Sequence, residues 1–261
     1  MNSAVASING RVWRTRNFVR AYAGRVLRPA EVMVLVRHRE LFAGRVLELG
    51  SGAGRVSGYL IDLASSYCGI DLSPRMVEHG RAHYPDGTFE VRDLRDLVTF
   101  ADGAFDLVFA GYNVLDVLDD VERRGVLGEI HRILARDGAL VMSSHNRAAS
   151  AARSSPGRVE LTPNPLRLAY RVVGAAASVR NRRRLARFEH EEASHAIRND
   201  AAHWYRLLHY YIGRDEQELQ LGEVGFRLLD CLDEDGKAVP TGEPAADSSE
   251  LHYVALRLST P

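Results

Sequence analysis

The chain has 261 residues, 46% apolar and 26% charged, which excludes disordered, fibrous and collagen-like classes and fits one large globular unit or one unit with an insertion. Its 34 basic and 34 acidic side chains cancel, so the overall positive field expected of a nucleic-acid-binding protein is absent. Cys68 and Cys231 make neither a disulfide framework nor a C-x-x-C thiol site, there is no leader pattern, and no apolar run reaches the ~18 residues of a membrane span. A reduced, soluble, cytoplasmic protein is expected.

Residues 1–43 read as a helical cap, with Val19, Tyr22 and Val26 at helical spacing and a second helix start at Pro29-Ala30-Glu31. Arg45–Leu49 is an apolar strand that runs into the glycine turn Gly50-Ser51-Gly52-Ala53-Gly54, and 55–64 continues as a helix. Ser66–Asp71 is a second strand. Ser73-Pro74 opens the next helix, with Ser at the N-cap and Pro at the first helical position. Thr88–Arg92 and Phe105–Ala110 are the third and fourth strands. Residues 119–135 form an amphipathic helix with Val121, Val126, Leu127, Ile130 and Leu134 on one face. Asp137-Gly138 turns into a fifth strand, Ala139–Ser143. Strands alternating with helices predict a parallel sheet covered on both faces, with ligands at the carboxyl ends of its strands.

The alternation breaks over 147–212, too long for a simple connection. This insertion opens with small residues and Pro (148–157, 162–165), continues as an Arg-rich helical stretch to about Arg187, and closes with an aromatic, His-rich segment. Residues 215–224 read as a helix, and Phe226–Leu232 and Leu251–Leu258 as two late strands separated by a turn-rich loop. The expected domains are a cap (1–43), a ligand-binding core (44–146), a helical lid (147–212) and a closing segment (213–261) that completes a seven-stranded, mostly parallel sheet.

The glycine turn is the first chemical signal, because missing side chains let a ligand approach the backbone and the following helix offers free N–H groups. It is not a dinucleotide fingerprint. In G-x-G-x-x-G terms, Gly50 and Gly52 fit, but Arg55 stands at the third glycine. Glu48, just before the turn, would repel a pyrophosphate and attract an ammonium. Asp71, 21 residues after Gly50, is placed to accept ribose hydroxyls. A ligand with a ribose and an ammonium but no pyrophosphate fits better than NAD, and S-adenosylmethionine is such a ligand.

The segments VLELGSGAGR (46–55), GIDLS (69–73), RDL (92–94), FDLVFA (105–110) and RILARDGALVMSSHN (132–146) resemble the successive motifs of the class I S-adenosylmethionine-dependent methyltransferases. The resemblance implies a Rossmann-like fold closed by an antiparallel hairpin from 215–258. Gly50, Ser51 and Gly52 would then pass under the methionine and ribose of the cofactor. Asp71 would hold the ribose and Leu72 the adenine. Asp93 and Leu94 would meet the adenine amino group and ring, and Tyr112 would approach the sulfonium. It also implies an N-terminal helix closing over the cofactor. Of Trp13, Phe18 and Tyr22, Tyr22 is the aromatic expected to reach the sulfonium by cation–π contact.

Methyl transfer needs alignment above all, and a base only where the nucleophile is protonated. The Asn/Asp-Pro-Pro-aromatic motif of amide and adenine methylases is missing after the fourth strand, and neither cysteine suits a cytosine nucleophile. Asn113, Asp116 and Asn146 do not make a secure metal triad, and no zinc spacing is present, so no metal is expected. The acceptor is expected to be a small molecule methylated on nitrogen or oxygen. His145 is a base candidate, Asn146 an orienting group and His209 a further catalytic candidate. Asn113 is a substrate-binding candidate. If 195–211 is helical, Asn199, His203 and Tyr210 share one face and bind substrate as well. Nucleic acid and membrane are not expected as partners, and the state is monomer or homodimer. Two rivals stay open: an RNA methyltransferase using the insertion, whose residues 147–190 hold ten Arg against two Glu, and a cofactor-binding protein without activity.

Overall fold

The computed structural model describes residues 3–15, 19–23, 26–149 and 161–258; Phe18 and the small-residue stretch at 150–160 lie outside them. In chain order, helices α1 (Ala4–Thr15), α2 (Val19–Tyr22) and α3 (Pro29–Arg37) precede strand β1 (Arg45–Leu49). Next come α4 (Ser57–Leu63), β2 (Ser66–Asp71), α5 (Pro74–His83), β3 (Thr88–Val91), β4 (Phe105–Ala110), α6 (Asp120–Ile133) and β5 (Leu134–Asn146). The insertion holds α7 (Pro165–Leu185), β6 (His190–Glu191), β7 (His195–Arg198) and β8 (His209–Ile212), and α8 (Arg214–Glu223), β9 (Phe226–Leu232) and β10 (Glu250–Arg257) finish the chain.

Strands β3-β2-β1-β4-β5 are parallel neighbours, and β10 and β9 extend the sheet antiparallel beyond β5. This is the expected Rossmann-like sheet of seven strands. Four of the five β1 residues are buried, as a strand covered on both faces requires. The period of two divides the apolar residues cleanly. Val46, Leu107, Phe109, Val141 and Val254 pack with Val34 of α3, Leu60 of α4 and Val77 of α5. Leu47, Val108, Leu140, Met142 and Tyr253 pack on the other side with Ala6 of α1, Ile130 of α6 and Leu221 of α8.

Two elements and one side chain depart notably from expectation. Helix α4 begins at Ser57 rather than 55 because the glycine turn continues to Val56. Strand β5 begins directly after α6 and runs on to Asn146, since β10 pairs with it as far as His145. Val121 is 80% exposed and does not belong to the buried face of α6.

The larger correction is in the insertion. Residues 195–211 are not a helix but a hairpin arm of the sheet: β7 pairs antiparallel with β6 and β8, and β8 pairs parallel with the last two residues of β5 (His145 with Tyr211, Asn146 with Ile212). The physical reason is the overhang of β5. Beyond Met142, the last residue it pairs with β4, its edge carries unpaired N–H and C=O groups, and β8 takes them. Tyr210 and Ile212 consequently face one side, packing with Val5, Leu185, Ile197 and Leu208, while His209 and Tyr211 face the other. Offsets of four and seven do not describe this segment.

Candidate active site

A cavity of about 840 Å³ lies over the carboxyl ends of β1, β2, β3, β4 and β5, where parallel sheets carry their sites. At one end it is walled by the glycine turn. Gly50 and Gly52 have φ of 64° and 56°, and a Cβ on Gly50 would stand 2.3 Å from Val114 Cγ2, so glycine is demanded by both conformation and space. Asp71 points back to this turn: Oδ2 accepts the Gly52 N–H at 2.9 Å and Oδ1 the Ser73 N–H at 2.7 Å. Each oxygen retains a lone pair for a ligand hydroxyl. Burial pushes the Asp71 pKa up, against those two bonds. The hydroxyl of Ser51, buried on the same wall, meets no hydrogen-bond partner among the described residues, the mark of a polar group awaiting one. Leu72 and Leu94 line the same end.

Glu48 also lines the cavity, but its Oε2 is taken by Ser57 Oγ at 2.7 Å and by the Tyr67 hydroxyl. Burial raises its pKa to about 7, so its pull on an ammonium is weaker than its position in the sequence implies. Asp93 is gripped by Arg95 through Nε at 2.9 Å and Nη2 at 2.7 Å. Burial acts to raise its pKa, and the Arg95 bonds outweigh that and lower it.

The roof comes from the N-terminus and the start of β10. Tyr112 and Asn113 have φ of 57° and 58°, left-handed conformations unusual away from glycine and common at sites. Tyr22 meets Tyr112 edge-on at 5.9 Å. Arg28 and Arg55 lie over the Tyr112 ring at 4.3 and 5.0 Å. Arg28 is paired with Glu250, which also accepts from Asn113 Nδ2 at 2.9 Å. Arg55, the residue that replaces the third fingerprint glycine, pairs with buried Glu31. Sequence reasoning missed Arg28 and Glu250, which come from segments far from any motif.

The other end of the cavity holds His145, His203 and His209. His145 Nδ1 lies 2.7 Å from Asp116 Oδ2, which also accepts the His145 N–H. Asp116 is fully buried, and Arg123 at 2.6 Å and Ser144 at 2.7 Å fill its other oxygen. Burial works to raise its pKa, but Arg123 and His145 hold it below the usual range. His209 Nδ1 lies 2.6 Å from Asp200 Oδ2, which also accepts the Tyr211 hydroxyl at 2.8 Å, while Oδ1 accepts the Ala202 N–H at 2.9 Å. Burial would lower the His209 pKa; Asp200 overcomes this and raises it. The two rings stack at 4.9 Å. His203 contacts the Tyr22 hydroxyl at 3.1 Å.

Three candidates lie outside the cavity. Asn146 is buried and its Nδ2 donates to the carbonyls of Pro244, Ala245 and Ser248, pinning a loop. Asn199 donates to the carbonyls of Tyr205 and Leu207. Tyr210 is wholly buried and donates to Asp120 at 2.6 Å. All three satisfy buried polar groups rather than face a ligand. Among the described residues, the donor atoms of His145, Asp200 and His209 lie within 4.8 Å of one another, near enough for a metal. Each imidazole Nδ1 nevertheless already shares a proton with a carboxylate, and both Asp200 oxygens accept hydrogen bonds.

A glycine turn after β1, a carboxylate closing β2, Arg55 at the third fingerprint position and an antiparallel final hairpin give the chain the fold and cofactor-end features of the class I S-adenosylmethionine-dependent methyltransferases, and S-adenosylmethionine is the cofactor that this end fits. Residues 46–138 match the family model described as Methyltransferase domain. Over 112 residues the chain is 32% identical to the ubiquinone/menaquinone biosynthesis C-methyltransferase UbiE of Citrifermentans bemidjiense, covering 38% of this chain and 45% of that protein. Over 130 residues it is 27% identical to the ubiquinone biosynthesis O-methyltransferase of Xanthomonas oryzae, covering 48% and 53%. The chain thus spans about half the length of the curated relatives it matches. In fold it is similar to the CcbJ methyltransferase of Streptomyces caelestis (TM-score 0.58, 19% identity, 93% of this chain and 97% of that one). It is also similar to the 1,6-didemethyltoxoflavin-N1-methyltransferase of Burkholderia thailandensis, solved with S-adenosylhomocysteine (TM-score 0.55, 14% identity, 88% and 79%). Among the described residues no helix is long and apolar enough to cross a membrane.

Proposed function

We propose that the protein is a cytoplasmic enzyme that transfers the methyl group of S-adenosylmethionine to a nitrogen or oxygen of a small-molecule metabolite by in-line displacement. One observation carries this reading: the cofactor wall and the histidine wall bound a single cavity of about 840 Å³, within the size of small-molecule sites. In that arrangement Gly50, Ser51, Gly52, Asp71, Leu72, Asp93 and Leu94 hold the cofactor. Tyr22 and Tyr112 close over its sulfonium, and Glu48 stays a weak partner for its ammonium. His145 and His209 face the acceptor, with Asn113 and His203 beside it. Residues 1–43 act as a cap and 147–212 as the acceptor lid. The enzyme supplies alignment, worth several orders of magnitude in such displacements.

Calorimetric titration with S-adenosylmethionine, S-adenosylhomocysteine and NAD tests the first half. Binding of both sulfur ligands and none of NAD is expected; the reverse would sink the reading. Turnover is tested by transfer of labelled methyl to panels of phenols and amines. Cofactor binding with no transfer to any of them would favour a binding protein without activity.

A further inference from the structure

The acceptor end of the cavity contains the same device twice. Two imidazoles stack at 4.9 Å, and each has its Nδ1 fixed by a carboxylate set behind it, Asp116 for His145 and Asp200 for His209. The carboxylates do not line the cavity; the imidazoles do. Both carboxylates are themselves tied down, Asp116 by Arg123 and Ser144 and Asp200 by Tyr211 and the Ala202 N–H. Such clamping fixes tautomer and ring direction, leaving Nε2 as the nitrogen offered to a ligand.

We infer that His209, oriented by Asp200, takes the proton of a hydroxyl group on an uncharged aromatic acceptor during methyl transfer, with His145 and Asp116 forming the second, supporting pair. The inference rests on the methyl-transfer reading above and narrows it from nitrogen or oxygen to an O–H. A neutral amine attacks through a free lone pair and needs no base until afterwards. A hydroxyl must lose its proton as the new bond forms. Trp13, Tyr22 and His203, in mutual ring contact, supply the apolar, flat wall that an aromatic body fits.

The step balances. The acceptor oxygen forms a bond to the methyl carbon while the carbon–sulfur bond breaks, its electron pair returning to sulfur. The hydroxyl proton passes to His209 Nε2. The positive charge that leaves the sulfonium reappears on the imidazolium, next to Asp200. The charged and titratable groups facing His209 are Asp200 across from Nδ1, His145 and then Asp116 beside its ring, and Tyr211 on the same strand, over whose ring Arg198 lies at 5.0 Å. Asp200 and Asp116 are positioning residues; His209 is the catalytic one.

The test is an absorbance titration of the full chain, saturated with S-adenosylhomocysteine, using 4-nitrophenol and separately 4-nitroaniline. The expected result is that 4-nitrophenol binds and shows its phenolate band at a pH below the pKa of the free phenol. His209→Gln should abolish the band and Asp200→Asn weaken it, each keeping S-adenosylhomocysteine affinity within about twofold, a control that reports folding. Binding of the phenol in its neutral form, failure of the phenol to bind, or binding of 4-nitroaniline alone would overturn the inference and leave methyl transfer standing. One equivalent of zinc in the purified protein, lost in Asp200→Asn, would overturn it by showing a metal in place of a base. Failure of the wild type to bind S-adenosylhomocysteine would overturn the methyl-transfer reading and this inference with it.

Discussion

The two ends of the cavity are held in place by different means. At the cofactor end the polar groups of the glycine turn and Asp71, unlike Glu48 and Asp93, are set by main chain. The Gly52 and Ser73 N–H groups aim Asp71, and the left-handed turn at Gly50 and Gly52 clears the floor. At the acceptor end they are set by other side chains. His145 depends on Asp116, and Asp116 on Arg123, whose guanidinium also reaches Gln217 at 2.7 Å and Gln220 at 3.1 Å. A site made from strand ends and a turn follows from the sheet itself, whereas a relay of side chains must be held by the packing of α6, α8 and β8 together. Damage should therefore spread differently from the two ends.

Arg123→Ala should have the largest effect. Arg123 and Asp116 are both fully buried, and removing one partner leaves an uncompensated charge, at a cost of about 3–5 kcal/mol. Urea denaturation should show that loss of stability together with loss of acceptor turnover. A stability within error of the wild type would mean that the relay is not held as described. At the opposite end, Asp71→Ala removes an acceptor for two backbone N–H groups and the ribose partner. Calorimetry should show S-adenosylhomocysteine affinity down by about tenfold to a hundredfold, as loss of charge-assisted hydrogen bonds worth about 1.5–3 kcal/mol predicts, with the acceptor end intact.

The same division decides what the sequence reveals. The cofactor end was legible because its residues sit at fixed places in a strand–turn–helix rhythm: Asp71 ends β2, and Gly50 follows β1. Arg28 and Glu250 were invisible because only the folded sheet brings the N-terminus to the start of β10. A helical period over 195–211 puts Asn199 and Tyr210 on a ligand-facing side. Residues 209–212 are a strand because they pair with β7 along their whole length and with the overhanging end of β5, tertiary pairings that a helical period does not record. Asp200 could be noticed as one polar residue in a crowded stretch, but its bond to His209 needs the β7–β8 reversal. Asn146 sits at the expected end of β5, and alternation turns His145 to the cavity and Asn146 to the loop at 244–248.

A pH profile sharpens the comparison further. Asp200 raises the His209 pKa above the ordinary histidine value, and a base must be unprotonated to act. Turnover should rise with pH through that raised value, and the rise should shift to lower pH in Asp200→Asn. A profile unchanged by Asp200→Asn would remove His209 from the proton path.

The smallest effect tests the cofactor end through Glu48. Burial lifts its pKa from 4.5 to about 7 in the folded protein. Between those values the folded state holds a proton that the unfolded state has released, so stability falls as pH rises across that window and the loss is complete above the folded value. Glu48→Gln removes the titrating group while keeping acceptor and donor atoms for Ser57 and Tyr67. The variant should therefore lose this component of the pH dependence, and its stability relative to the wild type should improve as pH passes from 4.5 to above 7. Chemical denaturation at the two ends of that window measures it directly. If the relative stability of the variant does not change with pH, the Ser57 and Tyr67 bonds compensate the buried charge fully, and Glu48 remains ionised and available to the cofactor's ammonium.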